Sequence, residues 1–254
     1  MKLTYTLLAL LVVFLACQSM KDAPVEANMA DTARLLAVAS DDDIAEEMEQ
    51  TKDLSADFLI IPGEQVGPVR ADASEASLMQ KLGKANVVRD TIYTVEGQFE
   101  IGTTLYRNTA DQAHVLWRDK KRFARPEMVM IRPARDENNA TLPGTTGPAT
   151  QWTTASGLRL GSTLREVEKI NGKPFTMYGF EWDYGGQSSG WRGGSLQTQT
   201  GKPFIGATFG FDHDVPENQQ SFFEAVIGDT EFLSNNPALQ QLNPTVQTLS
   251  VSFQ

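Results

Sequence analysis

The feature that most restricts how this chain can fold is a weak internal repeat. When the sequence is shifted by 89 positions, Arg70 falls on Arg159, and the pair Gly83-Lys84 falls on Gly172-Lys173. The same shift also matches Tyr93 with Trp182 and Gly97-Gln98 with Gly186-Gln187. A repeat of this length predicts two copies of one structural unit, because the local physical pattern recurs together with the residues.

The second copy has the signals of a short helix followed by a strand. Thr163 and Glu166 have the spacing of a capping box, in which each side chain satisfies a backbone donor at a helix start. Apolar residues then recur three apart, at Leu164, Val167 and Ile170. Gly172 is suited to end the helix, and Pro174 prevents its continuation. Residues 175–184 are rich in aromatic residues that alternate with polar ones, which predicts a strand.

The first copy repeats this order more weakly. We expect a helix over residues 72–82 that ends at Gly83, and a strand at residues 92–95. Further strand-like segments lie at residues 102–106, 113–117, 128–131, 204–211 and 246–253. Residues 219–227 favour another helix.

The expected fold class is therefore α+β, with two related units at residues 58–134 and 151–254. Each unit is expected to pack a short helical segment on an antiparallel β-sheet. Residues 135–150 are rich in Asn, Thr, Gly and Pro, a composition typical of a linker or long loop.

The repeated unit resembles a known family of envelope domains. The residues that carry the resemblance are Leu160-Gly161-Ser162-Thr163, Val167, Gly172-Lys173-Pro174 and Trp182-Asp183-Tyr184. Gly83-Lys84 in the first copy is a weaker match to the same pattern. They resemble the outer-membrane-assembly lipoprotein (BamE/SmpA-like) domain and the related tandem unit of the β-lactamase inhibitor protein. The resemblance implies a short helical pair against an antiparallel sheet. Residues 157–191 are also similar to uncharacterised secreted or lipid-anchored proteins of the Bacteroidetes type. Those families have no assigned activity, so this similarity implies none for this chain.

The N-terminus indicates export. Lys2 precedes an apolar run at residues 7–16, and Cys17 follows it directly, which is the layout of a signal peptide over residues 1–17. The run is shorter than the roughly 20 apolar residues that span a bilayer. The position of Cys17 resembles the lipobox of bacterial lipoproteins, although Phe14 stands where that family usually has Leu. The resemblance implies that Cys17 is lipidated and anchors the chain in the cell envelope, at the outer membrane. It does not distinguish the periplasmic side of that membrane from the cell surface. The alternative is secretion to the periplasm after Cys17 is removed.

The acidic charge of the chain is concentrated in one segment. The net charge is −10, and residues 21–57 alone contain three basic and eleven acidic residues. Such a segment buries little apolar surface, so residues 18–57 are expected to form a flexible acidic tether. The acidic net charge argues against nucleic acid as a partner, since its binding requires clustered Lys and Arg.

The sequence predicts no catalytic residue, no metal ligand and no cofactor. Only two histidines are present. His114 lies in an alternating segment and is expected to be a solvent-facing or sheet residue. Asp212, Asp214 and Glu217 could bind Ca²⁺ through carboxylate oxygens, but a solvated acidic turn is favoured because the full calcium-loop pattern is missing. The standard nucleotide, serine-hydrolase and zinc motifs are absent from the sequence.

The segment 182–194 is the best candidate for a contact surface. It joins two Trp, a Tyr and an Arg through glycines and small polar residues, and these side chains dominate binding hot spots. Trp182 is expected to fill the core. The ligand-contact candidates are Asp183, Tyr184, Trp191 and Arg192.

These observations predict a lipid-anchored binding or scaffolding module of the cell envelope. Its expected partners are the membrane, through lipidated Cys17, and an envelope protein or a glycan. The main alternative is an envelope enzyme acting on carbohydrate through Glu181 and Asp183, which would share one strand face, or through residues 212–214. A third possibility is that the folded part serves only as a spacer between the membrane and a partner, with its sheet edges mediating assembly.

Overall fold

A computed structural model describes residues 57–197 and 204–253. The predicted signal peptide, Cys17 and the tether up to residue 56 lie outside the described residues. The described part is a mixed α/β structure with several antiparallel sheets and a few short helices, which confirms the predicted α+β class at that level.

The described chain contains thirteen short strands and four α-helices. The strands are β1 (Leu59–Ile61), β2 (Gln65–Val66), β3 (Val69–Arg70), β4 (Val87–Tyr93), β5 (Phe99–Leu105), β6 (Ala113–Asp119), β7 (Ala124–Ile131), β8 (Thr153–Thr154), β9 (Thr176–Tyr178), β10 (Ser188–Gly190), β11 (Ile205–Gly210), β12 (Glu231–Leu233) and β13 (Thr245–Ser252). The helices are α1 (Glu75–Leu82), α2 (Leu164–Asn171), α3 (Gln220–Glu224) and α4 (Pro237–Leu242). Several predicted strands are present, but the predicted strand over 175–184 is limited to β9.

A six-stranded antiparallel sheet dominates the described structure, with the strand order β11-β13-β7-β6-β5-β4. Strands β4 to β7 come from residues 58–134, and β11 and β13 come from residues 151–254. The two sets meet where β7 pairs with β13, for example at Met130 opposite Ser250. A four-stranded sheet has the order β3-β2-β1-β8, and a three-stranded sheet has the order β10-β9-β12.

Helices α1 and α2 have the same length and lie 89 positions apart. Each has eight residues and begins with a capping box, built on Ser74 in α1 and on Thr163 in α2. Each is followed by a glycine with positive φ, Gly83 and Gly172, a conformation that glycine adopts without steric cost. Strands β4 and β9, and then β5 and β10, also begin at positions separated by 89 residues.

The two helix starts make the same contact with the last strand of their own half of the chain. Ser74 forms an antiparallel bridge with Ala124 in β7, and Thr163 forms one with Thr245 in β13. Each bridge ties the helix N-cap to the strand through which the two halves pair.

One hydrophobic cluster runs through both halves, from Phe58 to Phe253. Its largest fully buried side chains are Trp117, Trp152 and Trp191. Alternate residues of the six-stranded sheet point into this core, as Val129 and Ile131 do in β7. Residues 135–150 therefore do not separate two independent cores in the described structure.

The opposite face of the six-stranded sheet, called the outer face below, carries a second and smaller apolar cluster. Ile92, Leu116 and Met130 are buried there, and Met128 packs against them. The outer face of β13 and β11 is instead polar, with Thr248, Ser250 and Thr208 in alternate positions. This mixed face forms the floor of the candidate site.

Candidate functional site

Trp191 is a core residue, so its prediction as an exposed ligand contact is wrong. Its side chain is 1% exposed, and its ring centroid lies 5.0 Å from that of Phe175. The indole Nε1–H donates a hydrogen bond to the backbone oxygen of Ile205 at 2.7 Å. The Asn171 side-chain amide donates to the Trp191 backbone oxygen at 3.0 Å, which holds the turn against helix α2.

Trp182 is the tryptophan that stays near the surface, contrary to its predicted place in the core. Its partly exposed ring lies between Tyr178 and Tyr184, with a centroid separation of 5.2 Å to each. Its Nε1–H donates to the backbone oxygen of Gly179 at 3.1 Å. The chain leaves the sheet after β9, so the alternation expected for residues 175–184 does not continue to Trp182.

Glu181 and Asp183 do not share a strand face, because both lie in the turn that follows β9. Glu181 has a φ of 62°, in the left-handed region that strands do not use. The paired carboxylates proposed for glycoside hydrolysis are therefore not arranged as predicted. Asp183 remains an exposed residue of that turn, beside Tyr184.

Tyr184 connects the two halves of the chain. Its hydroxyl donates a hydrogen bond to Glu96 Oε1 at 2.8 Å. Glu96 lies in the turn between β4 and β5, and Tyr184 lies in the turn between β9 and β10. The hydrogen bond to the Glu96 carboxylate stabilises the protonated phenol and raises the pKa of Tyr184.

These two turns form the walls of a cavity of about 570 Å³, here called the Tyr184 pocket. Glu96, Asp183 and Tyr184 are among its wall residues. Its floor is the outer face of the six-stranded sheet, where the lining side chains are Leu116, Met128, Met130, Thr208, Thr248 and Ser250. The volume lies within the range of small-molecule sites, roughly 300–1,000 Å³. Two predicted contact residues, Asp183 and Tyr184, thus meet in one site, and Arg192 lies on an exposed turn outside its lining.

Arg132 is the lining residue that sequence reasoning missed. It follows β7, where Met128, Met130 and then Arg132 occupy alternate positions on the outer face. Within residues 57–197 and 204–253, its guanidinium has no hydrogen bond or ion pair. Burial lowers the pKa of Arg132, and the nearby charge of Arg135 lowers it further. The period-two alternation continued past residue 131 would have placed this arginine on the outer face.

His114 is a buried sheet residue rather than a solvent-facing one. Its Nδ1 lies 3.0 Å from Thr104 Oγ1, and its Nε2 lies 3.3 Å from the Gln112 side-chain nitrogen. Burial is the main cause that lowers the pKa of His114 to about 4, and the charge of Arg132 adds to it. The ring is therefore neutral at neutral pH.

The second histidine lies in the acidic turn 212–214. All three of its residues are exposed, in keeping with the favoured solvated turn. In the part of the chain that the structure describes, no three His, Cys, Asp or Glu side chains are grouped closely enough to hold a metal ion. None of the described helices is both long and apolar enough to cross a bilayer.

Comparison of the chain with protein-family models, with curated proteins and with solved structures gave no match. The resemblance to the BamE/SmpA-like domain, and the similarity to Bacteroidetes-type lipoproteins, therefore stay predictions.

Proposed function

We propose that this protein is a lipid-anchored binding module of the cell envelope and that the Tyr184 pocket is its ligand site. The observation that carries the proposal is the hydrogen bond between Tyr184 and Glu96. It joins two turns, one from each half of the chain, above a cavity with both apolar and hydroxyl-bearing lining. Ligand pockets commonly combine an apolar lining with a few directed polar groups. The proposal is one of binding without catalysis.

We further propose that the body consists of two related units, at residues 58–134 and 151–254. Helices of equal length at a spacing of 89 residues support this, as do capping boxes at both helix starts. The matching bridges from Ser74 to β7 and from Thr163 to β13 give independent support, since they are tertiary contacts. In this proposal the ligand site lies between the two units, because each contributes one wall.

The location in the cell envelope is part of the same proposal. A signal peptide over residues 1–17 and a lipid on Cys17 would anchor the chain, and the acidic segment 18–57 would act as a spacer. The ligand would then be a glycan or part of an envelope protein, and not a nucleic acid. The alternative location is the periplasm, reached by secretion without a lipid anchor.

Ligand binding can be tested with a variant that fills the pocket. Ser250 lines the pocket, and Ser252 lies two positions further along β13, outside the lining. Ser250→Trp should therefore block the site, and Ser252→Trp is its matched control. In a thermal-shift screen of glycan fragments and small organic acids, a ligand at about 100 times its Kd should stabilise the wild type by about 2.7 kcal/mol.

Loss of this stabilisation in Ser250→Trp, with retention in Ser252→Trp, is the expected result. A screen in which no compound stabilises the wild type would contradict the proposal, as would equal stabilisation of both variants.

The anchor requires a separate test in cells. Growth with an alkyne-labelled fatty acid should label the wild-type protein and should not label Cys17→Ser. The variant should also leave the membrane fraction. Absence of label from the wild-type protein would refute lipidation of Cys17.

A further inference from the structure

Arg132 lines the Tyr184 pocket, and its positive charge is not paired with a negative side chain among the described residues. Its guanidinium lines the Tyr184 pocket but makes no ion pair or hydrogen bond with the described residues around it. Glu96 and Asp183 also line the pocket, yet neither pairs with Arg132. The charge that acts on Arg132 is that of another arginine, Arg135, whose side chain donates to the Asn139 backbone oxygen at 2.7 Å. A partly buried cation in these surroundings gains stability from an anion that enters the pocket.

The strand register places hydroxyl groups next to this cation. Ile131 in β7 is paired with Leu249 in β13, so the outer-face position beside Arg132 is Thr248. Thr248 is in turn paired with Thr208 in β11. Arg132 thus lies at the end of a row that continues with two threonines, and all three side chains line the pocket. A planar guanidinium binds a carboxylate through two parallel hydrogen bonds, and neighbouring hydroxyls can donate to the same oxygens.

The remaining floor of the pocket suits an apolar group. Leu116, Met128 and Met130 lie on the outer face in the adjacent strands β6 and β7. Methionine side chains adapt to irregular apolar shapes and make favourable contacts with aromatic rings. The walls also carry the carboxylates of Glu96 and Asp183, so a negative charge on the ligand is favoured only beside Arg132. The arrangement therefore favours one anionic group on an otherwise apolar molecule.

We propose that the Tyr184 pocket selects an organic carboxylate, with the carboxylate held by Arg132 and the apolar body on the methionine-lined floor. This inference rests on the proposed function and narrows the ligand of the same site: it favours an apolar molecule or peptide segment that carries a carboxylate over a glycan.

The test uses two molecules of nearly the same size that differ in charge. 4-Phenylbutyrate supplies a carboxylate on an apolar body, and 4-phenylbutanol is its neutral counterpart. Isothermal titration with the purified wild-type protein should show that the acid binds about tenfold or more tightly than the alcohol, the ratio typical of a hydrogen-bonded charge. In Arg132→Met the preference should fall to about twofold or less. Arg192→Met, which removes the same charge from an exposed turn outside the pocket, should keep the wild-type ratio.

The possible outcomes separate this inference from the proposed function. Equal affinity of the wild type for acid and alcohol would overturn the selectivity for carboxylates and leave the pocket as a binding site. Binding of neither compound would count against both proposals. An unchanged preference in Arg132→Met would show that another group holds the carboxylate. If Arg132→Met does not fold, the ratio of acid to alcohol in the wild type, and its decrease at high salt, decide the question without a variant.

Discussion

The two tryptophans of the segment 182–194 should differ sharply in their contribution to stability. Trp191 is 1% exposed and donates its indole N–H to the backbone oxygen of Ile205 at 2.7 Å. Trp191→Ala removes a large buried ring and should lower the free energy of unfolding by about 3–5 kcal/mol. Trp182 is partly exposed and has two aromatic neighbours at 5.2 Å. Trp182→Ala should therefore cost about 1–3 kcal/mol, the sum of two aromatic contacts of about 0.5–1.5 kcal/mol each.

A third variant removes the hydrogen bond and keeps part of the packing. Trp191→Phe keeps an aromatic ring in the core but removes the donor to the Ile205 oxygen. It should cost at least about 1–3 kcal/mol, the usual range for a buried acceptor left without its partner, because the smaller ring adds a packing loss to that term.

The assay is urea unfolding followed by far-ultraviolet circular dichroism, which does not depend on tryptophan emission. The free energy of unfolding is obtained by linear extrapolation for the wild type and each variant. Arg192→Ala, an exposed change next to Trp191, serves as the control and should stay within about 0.5 kcal/mol of the wild type. A cost for Trp182→Ala equal to or greater than that of Trp191→Ala would refute the assignment of Trp191 to the core.

Three further predictions concern a turn, a buried histidine and the helix caps. Gly186 has a φ of 75°, and a Cβ there would lie 2.1 Å from a backbone oxygen, so Gly186→Ala should destabilise by about 3 kcal/mol or more in urea unfolding. Gly193 has a φ of 68° and open space around it, so Gly193→Ala should cost only about 1–2 kcal/mol. The folded-state pKa of His114 lies below its ordinary value of 6.5, at about 4, so the unfolded chain binds the proton more tightly. The lowered pKa contributes roughly 3 kcal/mol to the free energy of unfolding above pH 6.5, and this contribution is lost as the pH falls toward 4. His114→Gln should remove that part of the pH dependence of urea unfolding. Ser74→Ala and Thr163→Ala should each cost about 0.5–2 kcal/mol in the same assay, because each removes one capping box.

Each of these predictions can fail in a specific way. Equal costs for the two glycine variants would mean that the close contact at Gly186 is absent. An unchanged slope of stability against pH in His114→Gln would mean that His114 is not the group that titrates. A large cost for only one capping variant would weaken the proposal that the two units are related.

Local sequence signals predicted the two main helices well. Thr163, Glu166 and Gly172 act within a single helical segment, so their spacing was enough to predict the start and end of α2. A helix was also predicted over residues 72–82, and α1 lies there, although it begins at Glu75, the position that the 89-residue spacing gives from Leu164. The α+β class also follows from local patterns, since alternation and capping depend on neighbours along the chain.

What only the tertiary structure decided is which of these elements meet. The pairing of β7 with β13 creates one sheet from both halves of the chain, and hydrogen bonds between distant strands leave no local signature in the sequence. Trp182 and Trp191 carry the same side chain, and their exchanged roles depend on where the chain leaves β9 and returns in β10. Arg132 gains its place in the pocket because β11 and β13 extend the floor beside it and two distant turns close over it. The sequence therefore determined the local units, and the long-range packing determined the site.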